Sequence, residues 1–287
     1  MFKKICLLFA LTLLLGMTFA GCGGSGGGAD ESVDDGNGEV VEETSWEDIQ
    51  AKGKFVMGLD DSFPPMGFRS ASGDIVGFDV DFAKAVADYL GVEVEFMPID
   101  WGSKELELRQ HNIDVVWNGL TMSQARIDSG EWGFSQPYLE NRQVILSIEG
   151  SGINTIADLA GKKVGVQFDS SAQAAVEDQP DVLATFAGSE LVKLETYTTA
   201  ILELKNGSLD AVVGDEILIR YVTGNDSSAS FHIADDDFGD ELYAIGFRPG
   251  DLSFIEAVNG ALNALIGNGT AASVSSEWFG GNIVYVP

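Results

Sequence analysis

Leu202-Glu203-Leu204-Lys205-Asn206-Gly207-Ser208-Leu209-Asp210-Ala211-Val212-Val213-Gly214-Asp215 is the stretch on which the fold turns. A helical pattern runs through a glycine-marked break into a short apolar run, the length of a buried strand, which is the repeating unit of an α/β sheet. The unit occurs twice: Leu106, Leu108, Ile113, Asp114 and Val116 match Leu202, Leu204, Leu209, Asp210 and Val212 at one constant offset. A weaker echo links Gly53-Lys54 and Asp61-Ser62 to Gly161-Lys162 and Asp169-Ser170. Any two α/β units share part of such a pattern, so length enters the argument. A chain of 287 residues is accommodated better by two α/β lobes of comparable size than by one sheet.

Working outward, Phe55 to Leu59 reads as a strand followed by the turn-rich Asp60-Asp61-Ser62-Phe63-Pro64-Pro65. Phe82, Ala83, Val86, Ala87 and Leu90 recur at helical spacing, and Gly91 is placed to end that helix. Val92, Val94 and Phe96 alternate with polar neighbours as a half-buried strand, and Val115 to Trp117 forms another. Val164 to Gln167 is a strand leading into the helix-like Ala172 to Glu177. Extended runs at Gln143 to Ile148 and Leu242 to Phe247 are expected to cross between lobes. The first lobe then comprises residues 46–142 and 240–287, the second 143–239. Between them lies a cleft, the usual place for a small ligand in open α/β sheets.

Sixteen basic against 45 acidic residues give a formal net charge of -29, which excludes a nucleic-acid or other anionic partner. Lys3 and Lys4 precede an apolar run from Ile5 to Phe19, the layout of a secretory signal peptide over residues 1–21. Phe19-Ala20-Gly21-Cys22 resembles the bacterial lipobox, which implies lipidation of Cys22. Cys6 falls in the removed segment, so the mature chain has no internal disulfide. Residues 22–45, rich in Gly, Ser, Asp and Glu, read as a flexible tether.

The candidate site residues are Phe63, Trp101, Asn118-Gly119-Leu120-Thr121, Arg126, Ser170-Ser171 and Asp215, each at a strand end or in the turn after it. The planar fork of Arg126 suits a carboxylate, and free backbone N–H groups at the Ser170-Ser171 turn could hold the same group. Asp215 is either a plain N-cap or the receiver of an ammonium group. Together they fit a zwitterion. Phe63 and Trp101 have packing as their ordinary alternative, and Thr121 and Ser170 could be helix caps. Asp114 and Asp210 read as structural turn residues. His111 and His232 have no partners at metal-ligand spacing, so no metal is assigned and no cofactor is expected.

Gly77-Phe78-Asp79-Val80-Asp81 after the Phe-Pro-Pro loop, Asn118-Gly119-Leu120-Thr121 with Arg126, Phe134-Ser135-Gln136-Pro137-Tyr138, Asp210 to Asp215 and Trp278-Phe279-Gly280 together resemble the family 3 solute-binding proteins of amino-acid ABC importers. The resemblance implies the type II, two-lobed periplasmic-binding-protein fold. It also implies an extracytoplasmic monomer that delivers a free amino acid to a permease and its ATPase. The α-carboxylate would be held by Arg126 and the Ser170-Ser171 turn, and the α-ammonium by Asp215, Thr121 and the Gly119 carbonyl. Phe63 and Trp101 would sandwich the ligand side chain. Asp60 would face its far end and favour a polar or cationic amino acid over an acidic one. Arg142 could supply an opposing charge. Asn118 stands where the family often has Ser or Ala, and Gln136 where it usually has Asp or Glu.

A rival resemblance is to cyclohexadienyl dehydratases on the same fold, enzymes that need a general acid in the cleft. A surface interaction or sensor domain would carry extra segments for signalling.

Overall fold

Apolar side chains on both faces of Lys54–Leu59 demand cover on both sides, and Phe55, Met57 and Leu59 are fully buried. In the computed structural model, which describes residues 43–286, this strand pairs in parallel with Glu93–Pro98 and Val115–Val116. The signal-like segment and Cys22 lie outside the described residues. The first sheet runs Glu93–Pro98, Lys54–Leu59, Val115–Val116, Gly246–Phe247, Gly133–Phe134. The second runs Val192–Leu194, Val164–Gln167, Ala211–Asp215, Leu139–Ile148, Phe231–Tyr243. Each sheet carries parallel strands at its core and antiparallel additions, giving the expected two-lobed α/β architecture.

The internal echo is physical. Asp114 accepts a hydrogen bond from Val56 N–H at 2.9 Å, and Asp210 accepts one from Lys163 N–H at 2.8 Å, so each aspartate ties a turn to the start of a neighbouring strand. Ile113 and Leu209 press on Gly58 and Gly165, where an added Cβ would stand 2.5 and 2.4 Å from their methyl groups. Both aspartates are structural, as their place before the strands suggested.

The crossing segments form one long ribbon. Leu139–Ile148 and Phe231–Tyr243 pair antiparallel from Tyr243 opposite Leu139 to Phe231 opposite Ile148, with irregularities between Ile233 and Asp240. The strands begin earlier than the sequence runs at Gln143 and Leu242 suggest. Asp235, Asp236, Asp237 and Gly239 break the two-residue alternation that a strand reading needs, and the structure places them at the irregular stretch.

Helix Phe78–Leu90 starts one turn ahead of its expected periodic residues and ends at Gly91, whose φ of 74° is left-handed. Helices Leu252–Gly267 and Thr270–Phe279 return the chain's end to the first lobe. There Phe254 stacks on Trp46 and Phe279 packs against Phe78. The N-terminal helix Ser45–Lys52 begins one residue before Trp46 and is fixed by Glu43, which accepts the Ser253 N–H at 2.7 Å.

Candidate functional site

The first wall of the site is a turn after Val115–Val116. Asp79, with no solvent exposure, accepts hydrogen bonds from Trp117 Nε1 at 3.1 Å, Gly119 N at 2.8 Å and Tyr138 Oη at 3.0 Å. Burial pushes its carboxyl up to about 7, and the three donors hold it from going higher. Gly119, at φ 62°, has no room for a side chain: a Cβ would lie 3.0 Å from the Phe63 ring and 3.1 Å from Tyr243. The backbone thereby comes close to whatever lies above Phe63.

Past the turn, Ser123 rather than Thr121 caps the short helix Gln124–Ser129, and Arg126 Nη1 donates to the Thr121 carbonyl at 2.8 Å. Burial lowers the Arg126 pKa, while Glu105, Asp169, Glu241 and Asp215 oppose that shift. Beside it Lys104 is completely buried, donating from Nζ to the carbonyls of Trp101 and Asp169, each at 3.1 Å, and to the Asp169 carboxylate. Desolvation, followed by the neighbouring guanidinium, depresses this lysine.

The opposite wall comes from the second sheet. Ser170 caps helix Ser171–Glu177, with its Oγ accepting from Gln173 N at 3.1 Å. Ser171 Oγ accepts from Thr121 Oγ1 at 3.0 Å and from Gln143 Nε2 at 3.1 Å. Asp215 stands at the N-cap position of Glu216–Asn225 yet makes no side-chain cap bond. Its Oδ1 instead accepts from Asn141 at 2.8 Å, Gln143 at 3.1 Å and Tyr243 Oη at 2.6 Å. The plain-cap alternative therefore fails. Burial raises its pKa, and the donors pull it back.

Phe63, Trp101, Gly119, Arg126, Gln167, Ser170, Ser171 and Asp215 border one enclosed space between the lobes, which has a volume of about 10 Å³ with the two walls in contact. Seven of these eight were candidates from the sequence, drawn from both lobes. Arg126, Ser170 and Ser171 also border a wider groove open to solvent, which Thr121 and Glu241 line. Asp60, Asn118 and Thr121 are buried around the enclosed space without bordering it. Asn118 Oδ1 accepts the Asp60 N–H at 3.1 Å, and its buried Nδ2 has no partner. Asp60 is engaged on both oxygens: Oδ1 accepts from Ser62 N and Oγ at 2.9 and 2.6 Å, and Oδ2 accepts from Gln167 Nε2 at 2.8 Å. Burial raises its pKa. Arg142 supplies no charge here, because its guanidinium is paired with Glu216 at 2.7 Å and Asp237 at 3.0 Å.

Lys104, Gln167, Asn141, Gln143, Tyr243 and Glu241 were not singled out from the sequence. Lys104 sits in a run of charged residues that reads as solvated. The other five carry a signal only once the crossing strands and the second sheet are in register. Among the described residues no group of His, Cys, Asp and Glu could hold a metal ion.

Residues 55–281 match the family of bacterial extracellular solute-binding proteins, family 3, and the chain belongs to that family. It is 29% identical over 229 residues to ABC transporter arginine-binding protein 1 of Escherichia coli strain K12, covering 79% of this chain and 90% of that protein. An ABC uptake transporter substrate-binding protein from Streptococcus pneumoniae, solved with bound histidine, superposes with a TM-score of 0.81 at 31% identity. That match covers 85% of this chain and 99% of the other. An ancestral arginine-binding protein bound to glutamine has 38% identity and a TM-score of 0.71, over 79% of this chain and 98% of its own. The protein is thus an extracytoplasmic solute receptor of the ABC import class.

Proposed function

We propose that the two walls part at this enclosed space to seat a single free amino acid of polar or cationic side chain, captured between the lobes for delivery to an ABC permease and its ATPase. The observation that carries this reading is the placement of Arg126 on one lobe and Asp215 on the other against the same space, with Phe63 and Trp101 beside them. Arg126 and the Ser170-Ser171 turn receive the α-carboxylate. Asp215 receives the α-ammonium, with Thr121 and the Gly119 carbonyl as further partners. Phe63 and Trp101 hold the side chain. A micromolar affinity asks for about 8 kcal/mol, within reach of two charge-assisted contacts and aromatic burial. Relatives that bind arginine, histidine or glutamine support the polar or cationic class.

Asp60 selects through Gln167, which borders the space: the Asp60 carboxylate and the Glu195 carbonyl accept from Gln167 Nε2 and fix the amide's orientation. Calorimetry of ligand-stripped protein with Gln, His, Lys, Arg, Glu and Leu tests this, repeated on Asp60→Asn. Binding of the first four over Glu and Leu, with a changed ranking in the variant, is expected. Preference for Glu or Leu sinks the specificity reading.

The dehydratase alternative gains one observation, since Glu241 is an acid in the cleft held up to about 8. Its carboxyl, however, is engaged by Asn141 and Gln143, which supports a binding role over proton delivery. Recovery of the amino acid chemically unchanged after prolonged incubation separates the two. We further propose a monomer, because one chain supplies both walls, tethered outside the membrane through lipidated Cys22. Cys22→Ser should then leave the membrane fraction or fail to mature; normal fractionation of that variant refutes the anchor. Two acyl chains suffice for stable attachment where one is marginal.

A further inference from the structure

Glu241 is an unexplained acid at the heart of the site. It projects from the crossing strand Phe231–Tyr243 to within reach of Asp215, and the same two amides bind both carboxyls. Asn141 Nδ2 donates to Asp215 at 2.8 Å and to Glu241 at 2.5 Å, while Gln143 Nε2 donates to them at 3.1 and 2.7 Å. Two carboxylates converging on shared donors cannot both stay ionised in a buried place without a cation between them.

Among the described residues no lysine or arginine forms an ion pair with either acid. Arg126, on helix Gln124–Ser129, acts on both acids but spends its one hydrogen bond within the protein on the Thr121 carbonyl. Arg142, on the strand carrying Asn141 and Gln143, is turned to Glu216 and Asp237. Helix Ser171–Glu177 offers Ser171 here, its Glu177 being paired with Lys193 at 2.8 Å. Tyr243 on the same strand and Tyr197 on the facing helix are both held neutral by burial.

We propose that Glu241 is a second acid of the ammonium site: it shares one proton with Asp215 while the site is empty, and that proton leaves to solvent when an amino acid's ammonium group takes its place. Capture is then coupled to proton release. Burial, and after it the charge of Asp215, raises Glu241 to about 8, so the pair carries its proton at neutral pH in the empty protein. An arriving ammonium stabilises the ionised form of both acids. Binding therefore favours the deprotonated pair, and affinity rises with pH until the empty site loses its own proton.

The inference rests on the amino-acid-receptor reading, and one experiment separates them. Ligand-stripped full-length protein is titrated calorimetrically at pH 7 with L-arginine, L-histidine and L-glutamine in phosphate and in Tris, buffers of different ionisation heat. L-arginine has no group titrating near pH 7, so it gives the proton count. The expected result is release of about one proton per arginine, with affinity rising by up to about tenfold per pH unit from 6 to 7.5. Glu241→Gln, which keeps an acceptor for Asn141 and Gln143, should release none and show a flat pH dependence. Equal heats in the two buffers, or the same proton count in Glu241→Gln, overturn the second-acid assignment while leaving the receptor reading intact. If none of the three amino acids binds, both fail. Should the variant not fold, the two-buffer result on the parent protein decides.

Discussion

Asp79 holds the floor of the site with two oxygens and three donors, and each donor belongs to a different structural task. The Gly119 N–H sets the turn, Trp117 anchors the core, and Tyr138 marks the entry to the crossing ribbon. Its pKa, raised by burial from 3.8 to about 7, makes its contribution to stability greatest in acid and loses it as pH climbs through about 7. Asp79→Asn cannot ionise and faces an amide N–H₂ toward donors. It should cost about 1 to 3 kcal/mol at pH 5, and the gap to the parent should narrow by pH 8. Thermal unfolding at the two pH values checks this, and a pH-independent gap contradicts it. The sequence marks Asp79 as part of a motif but not its role, because a carboxylate in a helix's first turn ordinarily faces solvent. Arg126 and Asp215 were legible for the opposite reason: each follows a strand end, where an α/β sheet points its functional groups. Lys104 was illegible, since nothing in Ser103-Lys104-Glu105 distinguishes a cation buried across a cleft from one in water.

At the scale of elements, strands read from apolar runs agree closely with those formed: Val164–Gln167 has the expected limits, and its four residues are all buried. The crossing ribbon was only half legible. Along Phe231–Tyr243, Asp237 pairs with Arg142 and Glu241 accepts from Asn141 and Gln143, while Asp235, Asp236 and Asp240 are exposed, so alternation does not report which acids turn inward. The Asn118-Gly119-Leu120 turn brings backbone against Phe63 and Tyr243 with no room for a side chain. Gly119→Ala imposes a left-handed alanine costing about 1 to 2 kcal/mol and pushes on Phe63 and Tyr243, which also carries the Asp215 bond. For a chain of this size, a loss of that order lowers the melting temperature by about 2 to 8 °C. Scanning calorimetry and ligand titration should show both lower melting and weaker binding. A variant with parental melting and affinity refutes the close-packing argument.

For the whole molecule, the doubled helix-to-strand unit predicted two lobes, and Asp114 and Asp210 each accept a strand N–H, with Asp114 also paired to Arg248. What no repeat could show is how the lobes meet. They are joined across the cleft by Lys104 to Asp169, Asp60 to Gln167, Thr121 to Ser171, and the Thr198 hydroxyl to the Ser62 carbonyl. These contacts bring together residues far apart in sequence, and their partners are fixed by tertiary placement. Arg126 stands on one wall and Asp215 on the other, against the same space.

Whether a zwitterion is clamped between those two charges is decided by calorimetric titration of ligand-stripped Arg126→Ala with L-arginine, beside the parent protein. The expected variant melts as a folded protein and binds weaker by about 2 to 5 kcal/mol, because the ligand carboxylate loses its paired charge in a desolvated place. Near-parental affinity in folded Arg126→Ala would contradict the clamp.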